Sequence, residues 1–322
     1  MRFASWISAG VTKAGVVGDH GLHAFDPGVS VLDVVRSGLP TALRLGEQTL
    51  HRPAEPLERA RLLPPLQPPS VRDFVAFEEH VEGVVRSVGG SDGTAVVPEE
   101  WYQAPTFYFT NPYALIGAED DVAVPPGCSL LDFELEVAAV LGVSGSSLSV
   151  PQAREAIFGY TVMNDWSARD LQRREMRVNL GPAKGKDFAT TLGPWLVTAD
   201  EFEDRTDSEG FLNLKMQVWV NDELVGEDLL ANMGWPFAEL VAYASRGSQV
   251  RAGDVLGSGT SGNGGCLAEL WGRRGAQEPA PLKPGDLVRM SVEGIGTIAN
   301  RVVPGISLPP IAPARPRPRN RR

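Results

Sequence analysis

Short apolar runs broken by Gly, Pro and Asp make up most of the chain, which is the pattern of β-strands separated by turns. In the first 60 residues these runs are brief, and the stretch 30–37 is typical of one helix. From residue 101 onward the pattern again predicts mostly strands, with helices at 151–158, 166–176 and 234–246. Runs of strands with scattered helices favour a mostly β, α+β fold with an antiparallel or mixed core over a doubly wound sheet.

Several of the strand-like runs carry isolated polar residues. The run at 267–273 has a lone carboxylate, Glu269, among apolar neighbours, which is unusual unless the carboxylate is paired. Beyond residue 101 we predict strands within the segments 106–117, 130–142, 158–167, 193–202, 212–227, 254–265, 267–273 and 286–303.

Composition divides the chain into four parts. Residues 1–62 predict a small β-rich N-terminal domain, and the proline-rich stretch 63–69 predicts an extended connector. Residues 70–308 form the main domain. The segment 309–322 has too much Pro and Arg to fold, so we predict a disordered tail.

Charge and cysteine content exclude several classes of protein. The net charge is −10, and five arginines lie in the last eight residues, so the body is more acidic still. An acidic body argues against nucleic-acid binding, while the tail either touches an anionic partner or only aids solubility. The two cysteines, Cys128 and Cys266, form no disulfide framework or CxxC metal pattern, and we expect both to be structural. No long apolar run indicates a membrane span or signal peptide, so we expect a cytoplasmic protein.

The first candidate chemistry lies in the stretch 72–86, which we predict to be helical. Asp73 and His80 are seven residues apart, close to two helical turns, so they would share one face. Three interpretations remain open: a surface ion pair, a helix cap beside an unrelated histidine, or part of an active site.

A second candidate is the pair Glu134 and Glu136, which would point to the same face of a strand. Two adjacent carboxylates repel each other, so the pair needs a cation, a shared proton or solvent, and a solvated sheet edge is the alternative. Asp165 and Arg169 would align with Gln172 on a helix that starts near Asp165, where Asp165 is either a ligand or only an N-cap.

Glycines flank Lys186, so the backbone there can approach a ligand closely, although a surface loop with a solvated lysine is equally typical. The carboxylates together make an all-oxygen ligand set, which suits Mg²⁺ or Ca²⁺ and not zinc. The members of this set are Asp73, Glu134, Glu136 and Asp165.

From Ser70 to Val303 the chain resembles the fumarylacetoacetate hydrolase family. The likeness is carried by five motifs in order: Asp73 with His80, the ExE of DFELEV, NDWSARDLQ, GK followed by TT, and GSGT ahead of Glu269. The resemblance implies a mixed β-roll or β-sandwich catalytic domain, a small SH3-like N-terminal domain and a homodimer. It also implies a small-molecule substrate, with no organic cofactor and no nucleic-acid or membrane partner.

The same resemblance assigns roles to the candidate residues. It implies that Asp73, Glu134, Glu136 and Asp165 hold Mg²⁺ or Ca²⁺, with Mn²⁺ as a further possibility, and that a His80–Glu269 pair activates water. Arg169, Gln172 and Lys186 match donors to developing oxyanions. Tyr108 and Thr260 match substrate contacts, and Thr190 matches a position beside the metal.

The implied activity is hydrolysis of a C–C bond in a ketonic substrate, an acylpyruvate or β-diketo acid, with the enolate product stabilised by the metal. Val75, Met176 and Gly89 stand where the family has two tyrosines and an arginine, which favours a substrate less polar than fumarylacetoacetate. One alternative is a 2-keto acid decarboxylase, tautomerase or hydratase on the same metal site. Another is a metal-binding or interaction protein without turnover.

Overall fold

A computed structural model describes residues 1–89 and 96–317 of the chain. Its α-helices are α1 Val31–Arg36, α2 Leu39–Leu50, α3 Glu78–Gly89, α4 Val150–Ala156, α5 Arg169–Met176, α6 Phe237–Ser245 and α7 Leu267–Arg274. Short 3₁₀ turns lie at Leu57–Arg59, Glu99–Gln103, Ala199–Arg205 and Leu230–Asn232.

The strands account for most of the regular structure. They are β1 Arg2–Ser8, β2 Val11–Gly18, β3 Gly21–Ala24, β4 Ala54–Glu55, β5 Arg61–Leu62, β6 Val71–Phe74, β7 Phe107–Thr110, β8 Leu115–Ile116, β9 Val122–Ala123, β10 Leu131–Asp132, β11 Leu135–Leu141, β12 Gly145–Ser146, β13 Ile157–Asp165, β14 Ser167–Ala168, β15 Thr190–Thr198, β16 Lys215–Val220, β17 Glu223–Leu229, β18 Gln249–Val250, β19 Val255–Gly257, β20 Leu287–Val292 and β21 Gly296–Val303.

One large mixed sheet organises the molecule. Its main path runs β4-β3-β2-β1-β15-β13-β11-β19-β6-β7, mostly antiparallel but with β19 parallel to β6. A second sheet has the order β17-β16-β20-β21-β9. The prediction of a mostly β fold with a mixed core is therefore confirmed.

The central strand β11 is buried on both faces. Val137, Ala139 and Leu141 pack into one hydrophobic cluster, whereas Ala138 and Val140 pack into another on the opposite side. A strand between two cores has no solvated face, so a carboxylate on it must find a partner inside the protein. The solvated sheet edge considered for the ExE pair is therefore wrong.

Three helices differ from the sequence prediction: α2 and α7, described here, and α3, described with the site. Residues 267–273, predicted as a strand, lie in α7, which begins after Cys266 and ends at Gly275 with a left-handed φ of 64°. α2 was not predicted at all. It carries a proline in its first turn, where the missing N–H costs nothing.

The remaining predicted helices exist with shifted bounds. The stretch 30–37 contains α1, capped by the Ser30 hydroxyl. The stretch 151–158 overlaps α4, which begins one residue earlier, and its last two residues already belong to β13. The helices predicted at 166–176 and 234–246 begin three residues later, as α5 and α6.

The first strands join the central sheet through β1 and β15, where Arg2 pairs with Val197 and Phe3 with Leu196. Residues 63–70 and 304–317 contain neither helix nor strand. The predicted tail at 309–322 lies partly outside the described residues. The domain boundaries, the disordered tail and the SH3-like domain stay predictions. No helix in the described parts of the chain is both long and apolar enough to cross a membrane.

Candidate active site

Three strands of the central sheet deliver carboxylates to one place. Asp73 lies in β6, Glu136 in β11 and Asp165 at the end of β13, while Glu134 lies just before β11. The order β13-β11-β19-β6 places these strands side by side. Sheet neighbours are about 4.8 Å apart, so side chains at matching depth converge.

Asp73 and His80 do not share a helix, so this prediction was wrong. Val71–Phe74 pair with both β19 and β7, and all four residues are buried as a sheet strand. The chain then turns, and α3 begins at Glu78 and carries His80. The two residues nevertheless lie at one site, because each has a ligand atom within 4.8 Å of one on Glu134.

Asp73, Glu134 and Glu136 form a buried oxygen cluster whose ligand atoms all lie within 4.8 Å of one another. Both oxygens of Glu136 and Oδ1 of Asp73 have no hydrogen-bond partner among the described residues. Gly257 closes over them, since a Cβ there would meet Asp73 Oδ1 at 2.6 Å. Burial raises the pKa of both Asp73 and Glu136 well above the usual range, and a neighbouring carboxylate adds to it, Asp165 for Asp73 and Asp73 for Glu136. The cluster fits a hard divalent cation that would supply the missing partner.

Protein cations fill the opposite side of the cluster. Lys186 Nζ donates to Asp165 at 2.7 Å and also to Glu134, and Arg169 Nη2 lies 2.8 Å from Glu134. Burial alone would raise the pKa of Glu134, but Lys186 and Arg169 hold it well below its ordinary value. Lys186 is only 3% exposed, so the solvated lysine considered from the sequence is excluded.

Asp165 does not begin a helix, which corrects the predicted alignment of three residues on one helical face. It ends β13, and α5 begins four residues later at Arg169. Arg169 and Gln172 do share α5, and Gln172 Oε1 accepts a hydrogen bond of 3.1 Å from Arg169 Nη1. Asp165 is therefore fixed by the sheet, and the donors are fixed by the helix.

His80 is buried on α3, with Nδ1 3.7 Å from the Cys266 sulfur. Burial lowers the pKa of His80 to about 4. The imidazole is therefore neutral at physiological pH, which is the form that accepts a proton.

Glu269 is buried on α7 and packs against α3. A Cβ at Gly83 would meet its Cγ at 2.3 Å, so Glu269 packs directly on Gly83. Gly83 follows His80 by about one helical turn on α3. Its Oε1 accepts from Arg273 at 2.9 Å and from the Gly264 N–H at 3.3 Å, and Oε2 has no partner among the described residues. The structure therefore shows no direct His80–Glu269 hydrogen bond. Burial raises the pKa of Glu269 to about 7 despite the nearby Arg273.

Of the predicted substrate-binding and metal-flanking residues, Tyr108 and Thr190 contact or pair with Asp165, whereas Thr260 lies in a loop. The Tyr108 hydroxyl on β7 donates to Asp165, which puts it at the carboxylate cluster. Thr190 is the sheet partner of Asp165. Thr260 is buried in the loop after β19. Among the described residues, neither threonine lines the cleft that reaches His80.

Sequence reasoning missed Asp132, which connects the two sides of the site. Its carboxylate accepts from the N–H groups of Leu267 at 2.8 Å and Ala268 at 3.0 Å, capping α7. It also accepts from Arg169 Nε at 2.8 Å. Its position just before the ExE pair was the only available signal.

A cleft of about 1150 Å³ leads to the site. His80, Glu134, Arg169 and Gln172 lie along it, as do Val75 and Met176, two of the three positions where the sequence departs from the family pattern. The remaining charged lining residues are all arginines: Arg86, Arg173, Arg177, Arg273 and Arg274. The cleft therefore combines apolar wall with a basic rim.

Comparison with known proteins matches residues 70–303 to the family described as fumarylacetoacetate (FAA) hydrolase C-terminal. The chain is 27% identical to a fumarylacetoacetase of Oryza sativa over 345 residues, covering 89% of this chain and 80% of the relative. It is 31% identical over 288 residues to a human mitochondrial oxaloacetate tautomerase, covering 88% of this chain and 83% of that relative.

Among solved structures, the maleylpyruvate hydrolase of Sphingobium sp. SYK-6 in complex with manganese(II) and pyruvate superimposes with a TM-score of 0.68. The likeness covers 95% of this chain and 100% of that one at 22% identity, and it is a likeness of fold. The relatives thus include both hydrolases and tautomerases.

Proposed function

The chain belongs to the fumarylacetoacetate hydrolase family, and we propose that it is a divalent-metal-dependent hydrolase that cleaves a C–C bond in a 1,3-dicarbonyl acid. The observation that supports this best is the position of His80. A buried, neutral imidazole lies beside a cluster of unpaired carboxylate oxygens, and it opens onto a cleft large enough for a small organic acid.

The metal would be held by Asp73, Glu134 and Glu136. Asp165, the fourth carboxylate expected as a ligand, shares Lys186 with Glu134. Mg²⁺ and Ca²⁺ suit this oxygen set, and so does the Mn²⁺ found in the maleylpyruvate hydrolase complex. When bound, such an ion supplies Lewis-acid polarisation of the substrate oxygens.

His80 would act as the general base. It takes a proton from water, and the hydroxide attacks the carbonyl carbon remote from the carboxylate. Arg169 and Lys186 hold Glu134 and Asp165 in place, and Gln172 presents its amide nitrogen to the developing oxyanion. The C–C bond then breaks, its electron pair stays on the leaving carbon, and protonation of that carbon completes hydrolysis.

Glu269 would support His80 through its free Oε2, either directly after a small movement or through one water. It is already packed against α3 at Gly83. Its carboxylate would stabilise the imidazolium that forms when His80 takes the proton.

The second candidate function is tautomerisation, decarboxylation or hydration of a 2-keto acid on the same metal site. One observation favours it: Glu269 Oε1 is held by Arg273, and His80 contacts Cys266 instead of Glu269. The human relative named as an oxaloacetate tautomerase points the same way. These reactions need an enolate but no hydroxide.

The cleft lining suggests the substrate class. Val75 and Met176 contribute apolar surface, while Arg173 and Arg177 place positive charge at the rim. We infer an acylpyruvate or related β-diketo acid with an apolar acyl chain. The homodimer and the cytoplasmic location stay predictions, and light scattering of the purified protein tests the first of them.

The test is a panel of acylpyruvates, β-diketo acids and oxaloacetate, followed by loss of enol ultraviolet absorbance with and without chelator. Hydrolysis should require metal and fall about 10²–10⁴-fold in His80→Ala, the usual range for a lost general base. The exposed His20 offers a matched control, His20→Ala. Enol loss that survives in His80→Ala without two acid products would reject the hydrolase and favour the tautomerase.

A further inference from the structure

Beside the oxygen cluster lies a second group of ligand-type side chains with different chemistry. His80, Glu134 and Cys266 each offer one atom within 4.8 Å of the other two, and all three residues are buried. The reaction outlined above gives Cys266 no role. The group therefore combines a nitrogen, a sulfur and an oxygen ligand next to a set that contains only oxygens.

The distance between the two softer ligands matches that between two ligands of one metal ion. His80 Nδ1 and Cys266 Sγ are 3.7 Å apart. Zinc binds sulfur at about 2.3 Å and imidazole nitrogen at about 2.0–2.1 Å, so tetrahedral ligands lie roughly 3.5 Å from each other. The pair would need to move by only a few tenths of an ångström to hold one ion.

The Cys266 sulfur is held in a fixed position at the start of α7. Cys266 caps this helix, and the Glu269 N–H donates to its sulfur at 3.4 Å. Burial raises the pKa of the free thiol, but a bound metal ion removes the thiol proton outright and supplies the missing positive charge. His80 and Glu134 line the cleft, so an ion and a water ligand can reach the group from solvent.

We propose that His80, Cys266 and Glu134 form a second metal site, selective for thiophilic cations such as Zn²⁺, and that its occupation withdraws His80 from catalysis. Hard cations prefer the oxygen cluster, and soft cations prefer the thiolate and imidazole. Glu134 belongs to both groups, so occupation of one site affects the other. Only the inhibitory consequence rests on the proposed function; the binding itself does not.

The direct test uses Co²⁺ as a spectroscopic substitute for Zn²⁺ in protein already saturated with Mg²⁺. A thiolate bound to Co²⁺ gives an intense near-ultraviolet charge-transfer band, which oxygen ligands do not. We expect the band in the wild type and in Cys128→Ser, which removes the other cysteine of the chain. We expect no band in Cys266→Ser. A wild type without the band, or a Cys266→Ser protein that keeps it, overturns the proposal.

Cys266 is a buried helix cap, so its replacement can also disturb folding. His80→Ala is the second variant, and Co²⁺ affinity there should fall more than about tenfold, the loss that even an outer-sphere partner causes. X-ray absorption of the Zn²⁺-loaded wild type gives an independent answer. One sulfur and one imidazole ligand support the site, and an all-oxygen shell rejects it.

The kinetic test compares each protein with and without Zn²⁺ at saturating Mg²⁺. The ratio of the two rates should show strong inhibition in the wild type and in Cys128→Ser, and little in Cys266→Ser. Equal inhibition of all three proteins would contradict the proposal. An absent hydrolase activity would refute the proposed function, while the Co²⁺ band would still decide the metal site.

Discussion

The four carboxylates of the site form two halves with opposite electrostatics: a paired half, Glu134 and Asp165, and an unpaired half, Asp73 and Glu136. Glu134 and Asp165 are each bound by Lys186, and Glu134 also by Arg169. Asp73 and Glu136, a few ångströms away, have buried oxygens with no partner among the described residues. The protein thus neutralises one half itself and leaves the other half short of positive charge.

This difference indicates which half is structural and which is a binding site. A buried ion pair with good geometry holds its members in place, although it adds little net stability. A buried unpaired carboxylate is costly, so it persists where a ligand supplies the missing charge. The paired half therefore fixes the geometry in advance. In the proposed function the unpaired carboxyls Asp73 and Glu136 would take the cation together with Glu134, which belongs to the paired half and connects the two.

The largest effect should come from breaking the paired half. Lys186→Met leaves Glu134 and Asp165 without their common partner, and losing one member of a buried pair costs about 3–5 kcal/mol. Urea unfolding of the metal-free protein measures this. Lys184→Met is the matched control, because Lys184 is 68% exposed and its ion pair with Asp187 is on the surface. Similar losses in both variants would contradict the comparison.

The next effect comes from filling the unpaired half. A divalent cation at about 100 times its Kd should stabilise the fold by roughly 2.7 kcal/mol, since it binds the native state alone. Glu136→Gln should lose most of this stabilisation. Thermal unfolding with Mg²⁺, Mn²⁺ or chelator provides the measurement, and a metal response that is intact in Glu136→Gln would place the cation elsewhere.

The sequence predicted which residue types form the cluster better than it predicted which strands bring them together. Glu134 and Glu136 could be paired from their spacing, because residues two apart on a strand share a face. The convergence of Asp73 and Asp165 with them depends on the order of strands in the sheet. Spacing along the chain carries no information about that order, so only the resemblance to a family joined these residues.

The errors at α3 and α7 have the same origin. Seven residues separate Asp73 from His80 in either a helix or a strand followed by a helix, and the pairing of β6 with β19 decides between them. α7 is specified by Asp132, which caps it from 135 and 136 residues away in the chain. Its close approach to α3 needs glycine at both Gly83 and Gly272. Short apolar segments of this kind are ambiguous until such contacts are known.

Glu134 and the unpaired carboxyls should also respond oppositely to pH in the metal-free protein. Glu134 has a lowered pKa, so it stabilises the fold above the ordinary carboxyl range and loses this effect as the pH falls through its folded pKa. Asp73 and Glu136 have raised pKa values, so their contribution is full at low pH and is lost as the pH rises. Asp165 and Glu269 also have raised pKa values and His80 has a lowered one, so the wild type has to be compared with a variant that keeps these three groups. In urea unfolding in chelator, the stability of the wild type should decline relative to that of Glu136→Gln between about pH 5 and pH 8.

Two controls belong to the pH experiment. Saturating Mn²⁺ should remove the decline, because bound carboxylates are already ionised. Glu136→Gln is the reference, because it lacks one titrating carboxyl of the unpaired half and keeps the other groups. A metal-free wild type that does not lose stability relative to Glu136→Gln across this range would mean that the unpaired half is not the source.

The smallest effect distinguishes the two halves most clearly, because replacing a glutamate by glutamine should change the free energy of unfolding with opposite sign in each half. Glu136→Gln removes a buried carboxyl whose raised pKa destabilises the folded state at neutral pH, so the metal-free protein should gain about 1 kcal/mol in free energy of unfolding. Glu134→Gln is the same substitution two residues away. It leaves Lys186 and Arg169 facing a neutral amide, so it should destabilise the protein. Both variants are measured by urea unfolding in chelator. A gain in both, or a loss in both, would show that the two carboxylates are electrostatically equivalent and that the protein does not divide its site in this way.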